Sequence, residues 1–227
     1  MRKRKPYPSD LRDTEWHVLE PLVPQVKPGG RPEKYPRREL LNGIRYVLRT
    51  DCSWRSVPHD LPEWRSVYYY FRLWKKDGTW QRIHDRLRGD LRESMSRHRQ
   101  ASAGILDSQS VKTTEKRGIR GYDAGKQAKG RKRYILVDTL GLLLMVVVHS
   151  AAIQDRDGAN PVLQPLKHMF WRLRLLWADG GYTGRLLEWT RHLRPRCKLV
   201  LAIVKRSDSE KTFRVLPRRW VVERAFA

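Results

Sequence analysis

The apolar residues of this 227-residue chain change their spacing near residue 100. Before that point they recur every three or four positions, as in the stretch from Leu40 to Leu48, and this spacing predicts amphipathic helices. Beyond it, short runs of Leu, Ile and Val alternate with segments of helical spacing. The change predicts an all-helical domain over residues 1–99 and an α/β domain over residues 100–227.

The second half of the chain predicts a mixed sheet with flanking helices. Its elements follow the order of three strands, helix, strand, helix, strand and helix. Pro217 opens the last helix, because proline is favoured at the first helical position. The predicted strands cover residues 103–106, 133–137, 142–149, 173–178 and 199–204, and the other predicted helices cover 155–171 and 183–193.

The charge of the chain points to a polyanionic partner. Lys and Arg number 48 against 24 Asp and Glu, which gives a net charge of +24 and a pI of about 10.7. A pI above about 9 is typical of nucleic-acid-binding domains. No apolar run approaches the roughly 20 residues of a membrane span, and two cysteines are too few for a disulfide framework. We expect a cytoplasmic, nucleoid-associated protein.

Three acidic residues occupy the ends of predicted elements in distant parts of the chain. Asp107 ends the first strand of the second half, Asp179 follows the fourth, and Glu223 lies on the last helix. Carboxylates that converge cannot all ionise without a cation, and oxygen ligands favour Mg²⁺ or Mn²⁺. Two such ions about 4 Å apart would support phosphodiester chemistry. On spacing alone, however, turn capping and a surface position explain these acids equally well.

Several motifs, in order, resemble bacterial DDE-type insertion-sequence transposases of the family-five group within the family-four-like superfamily. They are ILDSQSVKT, GYDAGKQAKGRKRYILVDTLGLLL, HSAAIQDRDGA, ADGGYTG and RRWVVERAFA, and the stretch from LRDTEWHVLEPLVP to KKDGTW resembles the helical amino-terminal domain of these proteins. The resemblance implies a ribonuclease-H-like catalytic domain after a helix-turn-helix-like one. By position it makes Asp107, Asp179 and Glu223 the catalytic metal ligands, with two Mg²⁺ or Mn²⁺ ions expected as cofactor.

The carboxyl terminus departs from the family pattern. Arg219 matches the family's arginine, Leu216 stands where the family has tyrosine, and the family's lysine position falls beyond Ala227. A helix from Pro217 to Ala227 is also shorter than the 12–15 residues that an isolated helix needs. We therefore expect a truncated product. Two functions stay open: an active transposase, and a catalytically inactive DNA-binding relative that competes for element ends.

Lys and Arg crowd residues 112–133, directly after the first candidate metal ligand. A charge run is often a solvated loop, but here we expect contacts with DNA phosphates near the scissile bond. The expected partners are double-stranded DNA, both terminal inverted repeats and target, and a second copy of the chain in a homodimer. The expected DNA contacts are Lys112, Lys126, Lys129, Arg131, Lys132 and Arg219.

In the helical half, five aromatic residues follow a spacing that predicts a packed core rather than base stacking. Basic residues occupy other positions of the helix that begins at Trp64 and are candidates for phosphate contacts; which helix enters the major groove stays open. Asp155 and Asp157 precede a helix and are N-cap candidates, with a supporting role near the site as the alternative. The aromatic residues are Trp54, Trp64, Tyr68, Phe71 and Trp74, and the basic ones are Arg65, Arg72, Lys75 and Lys76.

Overall fold

A computed structural model describes most of the chain, and its residues divide into two compact units. The units are Met1–Met95 and Ser96–Ala227. Within the described residues, no helix is both long enough and apolar enough to cross a membrane. The described residues are 4–25, 29, 32–113, 118–193, 199–204 and 219–226.

All regular secondary structure in the described part of the first unit is helical. Its core contains Trp74, which is 1% exposed, with Phe71 and Trp54 packed against the same cluster. The prediction that these aromatic side chains pack together is confirmed, although Tyr68 stays 36% exposed while its ring contacts that of Trp54. The α-helices are α1 (Asp13–Leu19), α2 (Arg37–Thr50), α3 (Trp64–Lys76) and α4 (Thr79–Ser94), and short 3₁₀ helices cover Glu20–Leu22 and Trp54–Ser56.

The connections between these helices differ in length. Residues 51–63 separate α2 from α3, whereas only Asp77 and Gly78 separate α3 from α4. Gly78 has φ 76°, a left-handed conformation that glycine adopts without a steric penalty, so the chain can reverse in two residues. A helix-turn-helix has a short, often glycine-containing turn. By connection length, α3 and α4 are therefore the pair that fits such a motif.

Within its described residues, the second unit contains a six-stranded mixed sheet. The strand order is β2-β3-β1-β5-β6, and β4 pairs with β3. The β1–β3 and β3–β4 pairs are antiparallel, and β5 runs parallel to both β1 and β6. The strands are β1 (Ala103–Lys112), β2 (Gly121–Asp123), β3 (Ala128–Asp138), β4 (Leu143–Ser150), β5 (Leu175–Ala178) and β6 (Val200–Ile203). The helices are α5 (Asp155–Gly158), α6 (Asn160–Leu163), α7 (Leu166–Met169), α8 (Arg185–His192) and α9 (Arg219–Phe226), with a 3₁₀ helix over Gly180–Tyr182.

One predicted helix is wrong in its extent. The helix expected over residues 155–171 is divided into α5, α6 and α7. Pro161 and Pro165 lie at the beginnings of α6 and α7, and each lacks the amide proton that would continue the preceding helix. The proposed helix start at Pro217 lies outside the described residues.

The sheet buries both of its faces, because successive side chains of a strand point to opposite sides. One face packs against α6, α7 and α8 through Leu106, Leu136 and Leu176. The opposite face packs against α9, where Val222 is fully buried and Val221 is 7% exposed. The sheet residues beneath α9 are Ile105, Ile135 and Val137, with Trp177 partly buried beside them.

Candidate active site

The register of β1 and β5 brings Asp107 and Asp179 level with each other. The parallel pairing matches Ile105 with Trp177. Asp107 lies two residues after Ile105 and Asp179 two residues after Trp177, and Asp179 directly follows β5. Because hydrogen-bonded strands lie about 4.8 Å apart, this register sets the two aspartates at matching positions where β5 ends, while β1 continues past Asp107 to Lys112.

Backbone amides hold both carboxylates. The amide of Ser108 donates to Asp107 Oδ1 at 2.7 Å, and that of Gly181 donates to Asp179 Oδ1 at 2.9 Å. The second bond makes Asp179 the N-cap of the short helix Gly180–Tyr182. Both aspartates are partly exposed. Their side chains are thus oriented by the chain that follows each strand and remain accessible to a ligand.

The third predicted acid is carried by α9, on the face of the sheet that also bears Asp107. Asp107 lies two residues after Ile105, which packs under α9, so the two side chains share a face. Glu223 directly follows Val222 and is exposed. Among the described residues, however, no group of three or more His, Cys, Asp or Glu side chains is close enough to hold a metal ion. The structure therefore aligns the two aspartates and does not bring Glu223 into one cluster with them.

A buried lysine lies at the centre of a polar network on the opposite face of the sheet. Lys132 is 4% exposed, and its ammonium contacts Asp123 Oδ2 at 3.0 Å and Asp155 Oδ1 at 3.1 Å. It also donates to the carbonyl of Ile153 at 3.0 Å. The expectation that Lys132 touches DNA phosphates is not supported by this arrangement, because a phosphate contact needs an exposed ammonium and this one is already paired with two carboxylates.

Asp155 links this network to the segments that carry both aspartates. Its Oδ1 accepts a 2.8 Å hydrogen bond from the hydroxyl of Ser108, the neighbour of Asp107. Its other oxygen lies beside Gly181, where an added Cβ would be 3.4 Å away. Asp155 is also the first residue of α5 rather than its N-cap, which is Gln154. Of the two roles considered for Asp155, this position favours the supporting one.

The network and the carboxylates act on nearby ionisable groups. Burial opposes ionisation of Asp123, but hydrogen bonds from Ser110 and Lys132 outweigh it and lower the pKa of Asp123 to about 2. Burial raises the pKa of Tyr182, and the charges of Asp155, Asp107 and Asp179 raise it further. Tyr182 is therefore a neutral phenol close to three negative charges, in a setting that would favour a bound cation.

Lys112, Lys129 and Arg131 lie near the far end of the β1–β3 pair, and Lys126 lies in the turn between β2 and β3. Lys112, Lys126 and Lys129 are exposed, and Arg131 is partly exposed with its guanidinium donating to the carbonyl of Ile119 at 3.3 Å. The Lys126 ammonium also donates to the carbonyl of Ser108 at 2.8 Å. Arg219 is the first residue of α9, and its side chain lies outside the described part of the structure.

The network around Lys132 was missed by sequence reasoning, although the pattern contained a signal for it. In β1, Leu106, Ser108 and Ser110 alternate along one face, and the register sets Ser110 opposite Lys132. Small hydroxyl residues that continue an apolar face indicate a buried polar partner across the sheet. The partner is the Lys132 cluster.

The carboxylate oxygens of Asp107 and Asp179 suit a hard divalent cation. Asp107 and Asp179 supply carboxylate oxygens, and the described residues bring no thiol or imidazole beside them as a metal-binding group. The buried hydroxyl of Tyr182 finds no hydrogen-bond partner of suitable geometry in the described residues, even though Ser108 is close enough to act on it. The chemistry of the two aspartates fits Mg²⁺ or Mn²⁺, with the third ligand still to be supplied.

Two family models match the chain. A model described as a transposase DDE domain matches residues 98–227, and one described for transposases of the IS4/5 family matches residues 11–84. The second unit is thus a DDE transposase domain, a class whose fold is ribonuclease-H-like. With both matches in one sequence, the chain belongs to the IS4/5 family of DDE transposases.

A relative among curated proteins supports the same assignment. The insertion element IS402 uncharacterized 16.2 kDa protein of Burkholderia cepacia is 37% identical over 90 residues. The match covers 36% of this chain and 60% of the relative, so the chain spans less than two thirds of that protein's length. No solved structure matches this chain.

Proposed function

We propose that the chain binds the ends of an insertion sequence and catalyses metal-dependent cleavage and strand transfer of DNA phosphodiesters. Asp107 and Asp179 would hold divalent ions, with Glu223 as the third ligand. A bound pair of Mg²⁺ or Mn²⁺ ions would activate the attacking water or 3′-hydroxyl and stabilise the leaving oxygen. The observation that carries this proposal is the β1–β5 register, which pairs Ile105 with Trp177 and so sets Asp107 and Asp179 at matching positions two residues further along.

The protein's own contribution is to hold the two carboxylates in place. The amides of Ser108 and Gly181 each donate a hydrogen bond to one oxygen of Asp107 and Asp179 respectively, and these bonds orient the two side chains. Asp155 accepts a hydrogen bond from Ser108, the neighbour of Asp107, and lies beside Gly181, whose amide holds Asp179. It therefore acts as a positioning residue for both aspartates. Because Lys132 balances the charge of Asp155, this support does not require the metal.

Glu223 needs a change of position to join this pair. Its helix, α9, lies on the face that carries Asp107, and the side chain is exposed on that helix. We propose that Glu223 would serve as the third ligand beside the two aspartates, since a bound cation would relieve the repulsion between converging carboxylates. In this scheme the complete ligand set forms together with the DNA and metal complex.

DNA would run from the aspartates along the outer part of β1. Lys112 lies five residues beyond Asp107, which corresponds to about 17 Å along an extended strand. Lys129 and Arg131 stand beside it on β3 through the pairing of Val111 with Arg131. With Lys126 and Arg219, these cations would contact the phosphate backbone without reading sequence. We propose that two copies act as a dimer on DNA.

A nicking assay tests the proposal on the full chain. Supercoiled plasmid is incubated with the protein and Mn²⁺ or Mg²⁺, and nicked and linear products are measured over time. Asp107→Asn and Asp179→Asn should each lower the rate by at least about 100-fold, because even residues that only support metal ligands change activity by about 10- to 100-fold. Asp157→Asn, an exposed carboxylate on α5, is the matched control and should leave the rate within about twofold.

The same assay addresses the alternative of an inactive DNA-binding relative. Salt-sensitive binding of plasmid without metal-dependent cleavage would support that alternative and refute the enzyme. Cleavage that survives equally in Asp107→Asn and Asp179→Asn would instead mean that a different site performs the chemistry. A Glu223→Gln variant, assayed in parallel, should lose activity to the same extent as the two aspartate variants.

A further inference from the structure

The exposed side of α3 carries a stripe of basic and aromatic side chains. Arg65, Tyr69, Arg72 and Lys76 follow the i, i+4, i+7, i+11 spacing that places side chains along one face of a helix. All four are exposed, while Val67 and Trp74 on the opposite side are buried. Tyr68, Leu73 and Lys75 flank the stripe, and together these residues form one continuous exposed surface, the α3 basic face.

Three of the four cations of this face lack a carboxylate partner among the described residues. The α3 sequence WRSVYYYFRLWKK contains no acidic residue. Arg72, Lys75 and Lys76 form no ion pair with any described residue, and Arg72 contacts only the ring of Tyr68 in a cation–π arrangement. Arg65 approaches Glu63 at 3.6 Å, with both side chains exposed. Positive charge is therefore concentrated on one side of a single helix.

The neighbouring helix α4 differs in this respect. Its Arg86 pairs with Asp90 at 2.9 Å, and its Arg88 pairs with Asp85 at 2.7 Å. By chain order, α4 follows the short turn and would occupy the place of a recognition helix. These two arginines are paired with carboxylates within the helix, so their charge is compensated there and charge favours α3 over α4 as the helix that meets a polyanion.

The dimensions of the face fit duplex DNA. From Arg65 to Lys76 the helix rises by about 16 Å, and the major groove of B-DNA is about 12 Å wide and admits an α-helix. Cations at both ends of that length can reach phosphates, and the side chains of Tyr69 and Leu73 between them suit contact with sugars and base edges. The duplex supplies the negative charge that α3 itself lacks.

We propose that the α3 basic face is the surface through which the first unit binds duplex DNA, with α3 rather than α4 in the major groove. This inference deepens the proposed function and rests on it for the identity of the DNA. It assigns phosphate contacts to Arg65, Arg72 and Lys76 and a base-edge contact to Tyr69.

The test measures binding of the full chain to a fluorescein-labelled 24-base-pair duplex of mixed sequence. Anisotropy titrations in EDTA, which prevents cleavage, are run from about 50 to 200 mM KCl. The double variant Arg72→Ala/Lys76→Ala should reduce the slope of log K against log[salt] by about 1.8, since each phosphate contact contributes about 0.9. At about 0.1 M salt the same rule gives a loss of roughly 60-fold in affinity.

The control is Arg12→Ala/Arg86→Ala, which removes the same charge. Both arginines are exposed, and both pair with a carboxylate, Glu15 and Asp90 respectively. The slope of log K against log[salt] for this control variant should match that of the parent chain, and its affinity should stay within about threefold. If the Ala variant unfolds by circular dichroism, Arg72→Gln/Lys76→Gln replaces it, and the same loss of slope is expected.

The outcomes separate this inference from the proposed function. A parent chain that binds no duplex refutes the proposed function itself. A parent chain that binds while Arg72→Ala/Lys76→Ala keeps its full salt slope refutes the assignment to α3 and leaves the proposed function standing. An RNA duplex of the same sequence should compete less well than DNA, and tenfold better competition would contradict DNA as the partner of this face.

Discussion

Replacing Lys132 with methionine should destabilise the second unit by about 3–5 kcal/mol. Lys132 is 4% exposed and lies within 3.1 Å of both Asp123 and Asp155. Methionine fills similar space but leaves two carboxylates without their cation. Breaking a buried ion pair from one side typically costs about 3–5 kcal/mol, because the remaining charge is uncompensated. The loss is large against a typical domain stability of about 5–15 kcal/mol.

The measurement is urea unfolding of the full chain, monitored by hydrogen exchange and mass spectrometry of peptides from β1 and β3. These peptides report on the second unit alone, so the transition of the first unit does not interfere. Lys129→Met is the matched control, since Lys129 is an exposed residue of the same strand. A surface change of this kind should stay within about 0.5 kcal/mol.

Two further results would decide between this explanation and a simple packing defect. Adding Asp123→Asn to Lys132→Met should recover part of the lost stability, because it removes one of the two uncompensated charges. The loss of unfolding free energy caused by Lys132→Met should also shrink between pH 7 and pH 4, because in the variant the Asp123 carboxylate, without its cation, becomes protonated in the folded state. A loss below about 1 kcal/mol, or one that is independent of pH and of Asp123, would refute the reasoning.

Three other predictions concern stability. The pKa of Asp123 is lowered from 3.8 to about 2 in the folded protein, so its contribution is present above about pH 4 and is lost as the pH falls through 2; acid titration should show this loss in the parent chain and not in Asp123→Asn. Gly130→Ala should weaken the β1–β3 ladder by at least about 2 kcal/mol in urea unfolding, because an added Cβ would clash with the carbonyl oxygen of Val111. Gly125→Ala meets nothing nearer than 3.6 Å and should be tolerated. Trp74→Ala should cost about 3–5 kcal/mol in the first unit, since the side chain is 1% exposed, and thermal unfolding by circular dichroism measures it.

Helices with one clear apolar face were predictable from the sequence. The spacing of Trp64, Val67, Phe71 and Trp74 predicts α3, because only a helix brings these residues to one side. Asp107 and Asp179 could also be predicted as candidates, since each directly follows a short apolar run. Their mutual alignment needed the β1–β5 register, which depends on pairing across more than 70 residues of sequence and leaves no local signal.

The predictions failed where both sides of an element are buried or where proline interrupts it. The inner strand β3 has apolar or polar partners on both faces, so alternation could not show that Lys132 points inward while its neighbour Arg131 stays partly exposed. The first strand was predicted to end near Leu106, yet β1 continues to Lys112 because its polar half pairs with β3. Pairing, rather than local hydrophobicity, sets the length of such a strand.

The central claim is that Asp107 and Asp179 bind a divalent cation together. Titration of the full chain with Mn²⁺, followed by the loss of the free-ion electron paramagnetic resonance signal, measures this without DNA or turnover. We predict that Asp107→Asn and Asp179→Asn each weaken Mn²⁺ affinity by at least about tenfold, while Asp157→Asn binds like the parent chain. Equal affinity in all four proteins would contradict the claim.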